Sequence, residues 1–195
     1  MVFATFSYSA DTSSLKPPPG AKVAIVEFID LQCPDCANAA PVVKEASEKY
    51  HIPLVRHDFP LPQHPWSFDA AVDARWFDTK SVKLGNDFRD AVFANQRSIA
   101  SPDDLRSFAD NFAKQHGQQL PFAVDPSGTL AAKVKADYAL GQRIGIEHTP
   151  TIWVVTDQTK GTPFVEVVDR SRLYQLIEEA KAETGGEAKT ASAKR

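Results

Sequence analysis

Short, almost wholly apolar runs alternate along this chain with longer stretches of helical spacing. "KVAIVEFI" (Lys22–Ile29) is β-branched and nearly continuously apolar, which predicts a central strand buried on both faces. Glu27 alone interrupts it. In "ANAAPVVKEASEKY", Val42, Val43 and Ala46 make an apolar stripe, while Lys44, Glu45 and Glu48 make the wet face. This is a helix, and Pro41 inside it predicts a kink. "IPLVRHDFPL" (Ile52–Leu61) reads as a second strand. Strand, helix, strand in that order predicts a parallel pair with a right-handed crossover.

From His64 to Gly145 the pattern turns helical. In "SPDDLRSFADNFAKQHG", Ser101 is an N-cap, Pro102 occupies the first helical position, and Asp103 and Asp104 complement the dipole. Leu105, Phe108, Ala109, Phe112 and Ala113 follow at helical spacing, and Gly117 stops the run. "WSFDAAVDARWF" and "DFRDAVFANQ" are further amphipathic pieces, and "DPSGTLAAKVKADYALGQRIG" is a helix opened by Asp125-Pro126 and closed near Gly145. The aromatic residues here, Trp66, Trp76, Phe77, Phe88, Phe93, Phe108 and Phe112, are expected mostly in the core; His64 and Trp66 are candidates to border a site.

Strand chemistry returns in "TPTIWVVTD" (Thr149–Asp157); "QTKGT" is a turn, and "PFVEVVD" (Pro163–Asp169) completes a hairpin. "SRLYQLIEEAKAE" is a terminal helix with Ser171 near its cap. The stiff "SLKPPPGAK" leads into the first strand, behind an arm with a short strand in "ATFSYS". The expected organisation is an arm (1–20), a first α/β part (21–63), a helical insertion (64–145), a second α/β part (146–184) and a disordered tail (185–195).

Composition narrows the function. The 195 residues are 43% hydrophobic, enough for a core that needs no covalent staple. The net charge of −3 is well mixed, with no basic block, which argues against nucleic acid. No run of 18 apolar residues is present. "MVFATFSYSADTSS" has neither a basic n-region nor a continuous apolar h-region, so it does not read as a signal peptide.

The only two cysteines, Cys33 and Cys36, stand three apart in "LQCPDCANAAP". Structural zinc needs about four ligands, and His51, His57, His64, His116 and His148 show no ligand spacing, so no metal is expected. The redox reading has a physical basis. The pair falls between a buried strand and a helix, where orphan N–H groups and the dipole stabilise a thiolate at Cys33. Cys36, one turn on, is placed to be more buried and to resolve a mixed disulfide.

"VAIVEFIDLQCPDCANAAP" resembles the active-site segment of the thioredoxin superfamily, and its C-P-x-C form resembles the DsbA-like branch. Members carry an acidic residue six positions before the first cysteine, matched by Glu27, and a helix proline five after the second, matched by Pro41. They also carry a cis-proline loop ahead of a strand, matched by Pro150 in "HTPTIWVV". DsbA-like members insert a helical domain where His64–Gly145 stands here.

The resemblance implies an α/β, thioredoxin-like fold with an inserted helical domain. It implies a thiol–disulfide oxidoreductase that oxidises cysteine pairs in exported proteins. A reductase or isomerase of the same fold, or a substrate-binding chaperone-like module with an incidental dithiol, are the alternatives. Cys33 attacks, Cys36 resolves, Glu27 relays a proton through water, and Thr149, Pro150 and His148 hold substrate. No cofactor is implied, since the disulfide carries the two electrons. The implied partners are proteins with cysteine pairs and a membrane or soluble redox partner; the protein is expected to be a monomer in the periplasm or cell envelope, with the cytoplasm as alternative. The dipeptide Pro34-Asp35 departs from the proline-histidine of the strongest oxidants. The Asp35 charge is expected to oppose the thiolate and weaken the oxidant by ~30 mV.

Overall fold

The structure is a computed structural model and describes residues 15–158 and 163–192, with side chains to 185. The proposed strand in "ATFSYS" and most of the "QTKGT" turn lie outside these residues. Four strands form one sheet in the order β2-β1-β3-β4: β1 (Val23–Ile29), β2 (Leu54–Asp58), β3 (Thr151–Thr156) and β4 (Phe164–Glu166). β1 and β2 pair in parallel, as the crossover helix between them requires; β3 runs antiparallel to both β1 and β4. The second strand is shorter than the apolar run predicted, because the chain turns away at Phe59-Pro60.

All seven residues of β1 are buried, so the strand is covered on both faces. Val23 and Ile25 join Ala39, Val43 and Ala46 of α1 (Pro34–Tyr50) and Leu173 and Ile177 of α6 (Leu173–Ser192). Ala24, Val26 and Phe28 face the other way, against Phe59, Trp153 and Ile144. Each such Ile, Val or Phe contributes about 1.5–3 kcal/mol by leaving water. On this second face lies α5 (Thr129–Ile144). It reaches the sheet closely only because Gly141 has no side chain, since a Cβ there would lie 2.6 Å from the Phe59 ring.

The insertion consists of α2 (Ser67–Asp78), α3 (Val82–Asn95), α4 (Pro102–Gln115) and α5. Its core holds Trp66, Phe77, Phe88, Phe93 and Phe112, with edge-on rings 5.1 Å apart for Phe77–Phe112. The Ser101 hydroxyl caps α4 by accepting from the Asp104 N–H. The same core continues into Leu31, Cys33 and Cys36, so the cysteine pair sits at the seam between sheet and insertion. Ionic contacts span sheet and insertion: Arg75 Nε lies 2.5 Å from Asp58 Oδ2, its Nη2 also meets Asp137, and Arg89, which grips Asp78 at 2.8 Å within the insertion, brings its Nε to 3.9 Å from Asp58 Oδ1.

Three expectations about helix ends are corrected. α5 starts at Thr129 rather than at Asp125-Pro126, but Asp125 still serves it by accepting from the Ala131 N–H at 2.8 Å. Ser171 does not cap α6; it lies in a single 3-10 turn (Arg170–Arg172) capped by Asp169. α6 also runs through to Ser192, into the segment read as a tail, because the Ala-, Glu- and Lys-rich sequence after Gly186 has high helix propensity.

Candidate active site

β1 ends at Ile29, and four residues separate it from the start of α1 at Pro34. Cys33 is the N-cap of α1 in extended conformation, and Pro34 takes the first helical position, where its missing N–H costs nothing. This puts the Cys33 sulfur where the first N–H groups of the helix are unpaired by the helix itself. Cys36 lies one turn on and is 1% exposed, against 8% for Cys33. Both are free thiols.

The two thiols are electrostatically unlike. Cys33 is pulled down to about 5. The hydrogen bond from Cys36 is the largest cause; burial works against it; the Thr149 side chain and the backbone N–H groups of Cys36 and Asp35 add to the lowering. Cys36 is pushed far up, first by burial and then by that same hydrogen bond and the charge on Cys33. One thiol is therefore set to ionise and the other to keep its proton.

The loop before β3 closes over the pair. The Thr149–Pro150 peptide is cis, and the Cys33 thiol donates to the Thr149 carbonyl at 3.4 Å. The Thr149 hydroxyl is buried without a hydrogen-bond partner. His148 is exposed on that loop, and its carbonyl accepts from the Thr151 hydroxyl at 2.6 Å. Among the described residues its ring makes no hydrogen bond to either cysteine.

Glu27 is 2% exposed in β1, on the face covered by α1. Burial raises its pKa, and Arg56 opposes the rise. Arg56 is its register partner on β2, with Nε 2.7 Å from Glu27 Oε1. Arg56 Nη1 then reaches Asp90 at 2.8 Å, and Asp90 meets Lys44 at 2.8 Å near the surface. Glu27 is thus the inner end of a charged chain; among the described residues its carboxylate accepts from Arg56 and makes no hydrogen bond to Cys36.

Four supporting residues were not singled out from the sequence. Asp30, three before Cys33, is a buried hub. Its carboxylate accepts from the Gln32 N–H (2.7 Å), the Leu61 N–H (2.6 Å), His64 Nδ1 (2.7 Å) and the Ser67 hydroxyl (2.6 Å), and its own N–H donates to the Cys36 sulfur at 3.5 Å. Gln96, at the end of α3, donates to the carbonyls of Leu31 and Cys33. Arg56 pairs with Glu27, and Arg170 holds Asp35. The available signals were a lone acid in the apolar run "FIDLQC" and an arginine at the strand position that a parallel register sets beside Glu27. His64 and Trp66 do border the site: His64 through Asp30, and Trp66 through its N–H bond to Gln32 Oε1 at 2.9 Å. Asp35 departs from expectation: its charge is paired by Arg170 rather than left facing the Cys33 thiolate.

A four-stranded sheet with a two-cysteine helix N-terminus, a facing Thr149–Pro150 loop and a helical insertion defines a thioredoxin-like protein of the DsbA kind of fold. A family model described as Thioredoxin matches residues 18–170, and the chain belongs to that family. Among solved structures it resembles Wolbachia pipientis alpha-DsbA1 (17% identity, 89% of this chain and 92% of that one, TM-score 0.71). It also resembles a periplasmic thioredoxin-like protein from Salmonella enterica serovar Typhimurium (17%, 85% and 88%, TM-score 0.66) and Pseudomonas aeruginosa DsbA2 (20%, 84% and 91%, TM-score 0.60). A curated relative is the Na(+)/H(+) antiporter NhaA 3 of Salinispora tropica, 26% identical over 146 residues. That stretch is 74% of this chain but 22% of the antiporter, so the chain spans about a fifth of that relative's length. Among the described residues no helix is long and apolar enough to cross a membrane.

Proposed function

We propose that this protein is a thiol–disulfide oxidoreductase that oxidises cysteine pairs in exported polypeptides in the cell envelope. The observation that carries the reading is the inequality of the two thiols, with Cys33 held low at the helix N-terminus and Cys36 held high beneath it. A stabilised Cys33 thiolate stabilises the reduced form, which makes the disulfide form oxidising.

The cycle starts from the Cys33–Cys36 disulfide. A substrate thiolate attacks Cys33, the Cys33–Cys36 bond breaks, and Cys36 leaves with the electron pair and takes a proton. The second substrate thiolate attacks the substrate sulfur of the mixed disulfide, and Cys33 leaves as a thiolate. The substrate gains a disulfide and loses two electrons; the protein gains them as the dithiol. A redox partner that accepts two electrons regenerates the disulfide. Run in reverse, the same steps reduce a substrate.

Glu27 serves as the proton acceptor and donor for Cys36, through water. Its pairing with Arg56 favours the ionised carboxylate that can take a proton. The Thr149 and Pro150 backbone lies against the substrate strand, with His148 at its exposed rim.

The test is trapping. Cys36→Ala should accumulate mixed disulfides with disulfide-bonded proteins, because the Cys33 thiolate attacks the substrate disulfide and no Cys36 is present to resolve it, and Cys33→Ala should not. Iodoacetamide should label Cys33 with a midpoint near pH 5 and leave Cys36 unlabelled. Faster labelling of Cys36 would reverse the roles. A reductive insulin assay beside a measured redox potential separates oxidase from reductase or isomerase. Retention of substrate binding with loss of all redox activity in Cys33→Ser would favour the chaperone-like alternative.

A further inference from the structure

Beside Pro34, a groove of about 630 Å³ opens between the first turns of α1 and the end of α3. Its lining includes Gln32, Asn38, Phe93, Gln96, Arg97 and Ile99. Two amides in it are already half committed. Gln32 Oε1 accepts from the Trp66 N–H, so its Nε2 remains as a donor. Gln96 Nε2 gives both its bonds, to the Leu31 and Cys33 carbonyls, so its Oε1 remains as an acceptor. Among the described residues neither free end has a protein partner. Tying one end of an amide fixes the direction of the other, so the groove presents one oriented donor and one oriented acceptor next to Cys33. Arg97 is exposed, forms no ion pair among the described residues, and is the only charged residue in the lining.

We infer that this groove holds the extended stretch of substrate chain flanking the cysteine that Cys33 engages, and that Arg97 selects segments with an acidic residue there. The inference rests on the dithiol reading above and names its substrate class. An extended backbone offers N–H and C=O groups in alternation, which Gln96 Oε1 and Gln32 Nε2 match without reading sequence. Phe93 and Ile99 supply an apolar wall for a side chain. The preference comes from charge. Asp35, which follows Pro34 in the chain and is not part of the lining, is occupied by Arg170 and does not cancel Arg97. The net charge of −3 works in the opposite direction, so a preference for acidic peptides reports a local cation.

The test uses reduced two-cysteine peptides carrying Asp or Lys at two, three or four residues on either side of the first cysteine, oxidised by the disulfide form of the protein. At one spacing or more the Asp peptide should react roughly two- to fivefold faster, the scale of an exposed ion pair. That ratio should fall toward one in high salt and should invert in Arg97→Glu. Because each ratio is read within one protein, a general loss of activity does not disturb it. Equal rates at every spacing, or the same ratio in Arg97→Glu, overturn the inference. Oxidation of dithiothreitol by the unaltered protein, run alongside, tells the two readings apart. If dithiothreitol is oxidised but no ratio appears, only the groove reading falls; if dithiothreitol is not oxidised, both fall.

Discussion

Arg170 grips one of the two residues between the cysteines: its Nη2 lies 2.7 Å from Asp35 Oδ1, and its Nη1 donates to the Asp35 carbonyl at 3.2 Å. The contact joins the turn before α6 to the first turn of α1 across 135 positions of sequence. Asp35 alone would raise the free energy of a thiolate at Cys33. Paired with a guanidinium, it contributes a dipole instead of a net charge.

The first prediction follows. Arg170→Ala uncovers the Asp35 charge, raises the Cys33 pKa above about 5 and makes the redox potential more negative. The scale is at most about one pKa unit, or ~30 mV, because the pair is half exposed and screened. Asp35→Asn should change little in the unaltered protein and should cancel the effect in the Arg170→Ala background. Thiolate absorbance titrations of the four proteins check this. Equal shifts from Asp35→Asn in both backgrounds would show that the pair does not act as a unit.

The second concerns the Thr149 hydroxyl, buried with no partner while Cys33 keeps its proton. An unpaired buried hydroxyl costs about 1–3 kcal/mol, and a thiolate at Cys33 gives it an acceptor. Thr149→Val keeps the shape and removes the donor. The Cys33 pKa should rise and the disulfide form should become less oxidising, while the oxidised protein should be as stable or more so. An unchanged thiolate titration would show that the hydroxyl does not reach the sulfur.

How much of this was legible in the sequence depends on whether a residue's role is local. The strand, the helix start at Cys33, the α4 cap at Ser101 and the burial of the insertion's aromatics follow from spacing within one element, and they stand in the structure. The partners of the site residues are set by contacts between elements. Besides the neighbouring Gln32 N–H, Asp30 is bonded by Leu61, His64 and Ser67, 31, 34 and 37 positions away, and Arg170 meets Asp35 only once α6 has docked on the sheet. Periodicity carries no information about such meetings. Arg56 was the most accessible of them, since a parallel β1–β2 register can be written down before the fold is known. The ends of α5 and α6 were missed because a cap several residues upstream and a helix through Gly185-Gly186 both override the local signals.

The third prediction concerns Glu27 and Arg56, whose side chains are 2% and 4% exposed. Arg56→Met strands a buried carboxylate and should destabilise the fold by about 3–5 kcal/mol. Adding Glu27→Leu should recover most of that loss, since an apolar pair replaces an ionic one. Glu27→Gln keeps a polar partner for Arg56 but removes the proton acceptor. In the oxidising direction it should slow mixed-disulfide formation, the step in which Cys36 takes a proton, by on the order of 100-fold, and leave the release of Cys33 by the second substrate thiolate intact. Urea unfolding and single-turnover kinetics read the two effects separately; unslowed mixed-disulfide formation would leave Glu27 with a structural role only.

The fourth concerns Asp73, buried in α2 with its pKa pushed up to about 7, chiefly by burial. Arg106 draws it down, but that guanidinium is committed to Asp110 at 3.1 Å. In the unfolded chain the group titrates near the ordinary 3.8. The folded state therefore binds the proton more tightly, and the stability this supplies is fully present below about pH 4 and lost as pH rises through about 7. From 3.8 to about 7 the linkage is on the order of 4 kcal/mol at most. Asp73→Asn cannot ionise, so it should be the more stable protein at pH 8, with the advantage shrinking steadily to nothing near pH 4. Urea midpoints of both proteins across this range give the comparison. A constant difference between them at every pH would mean that Asp73 stays ionised in the fold and that its burial is compensated by groups other than a proton.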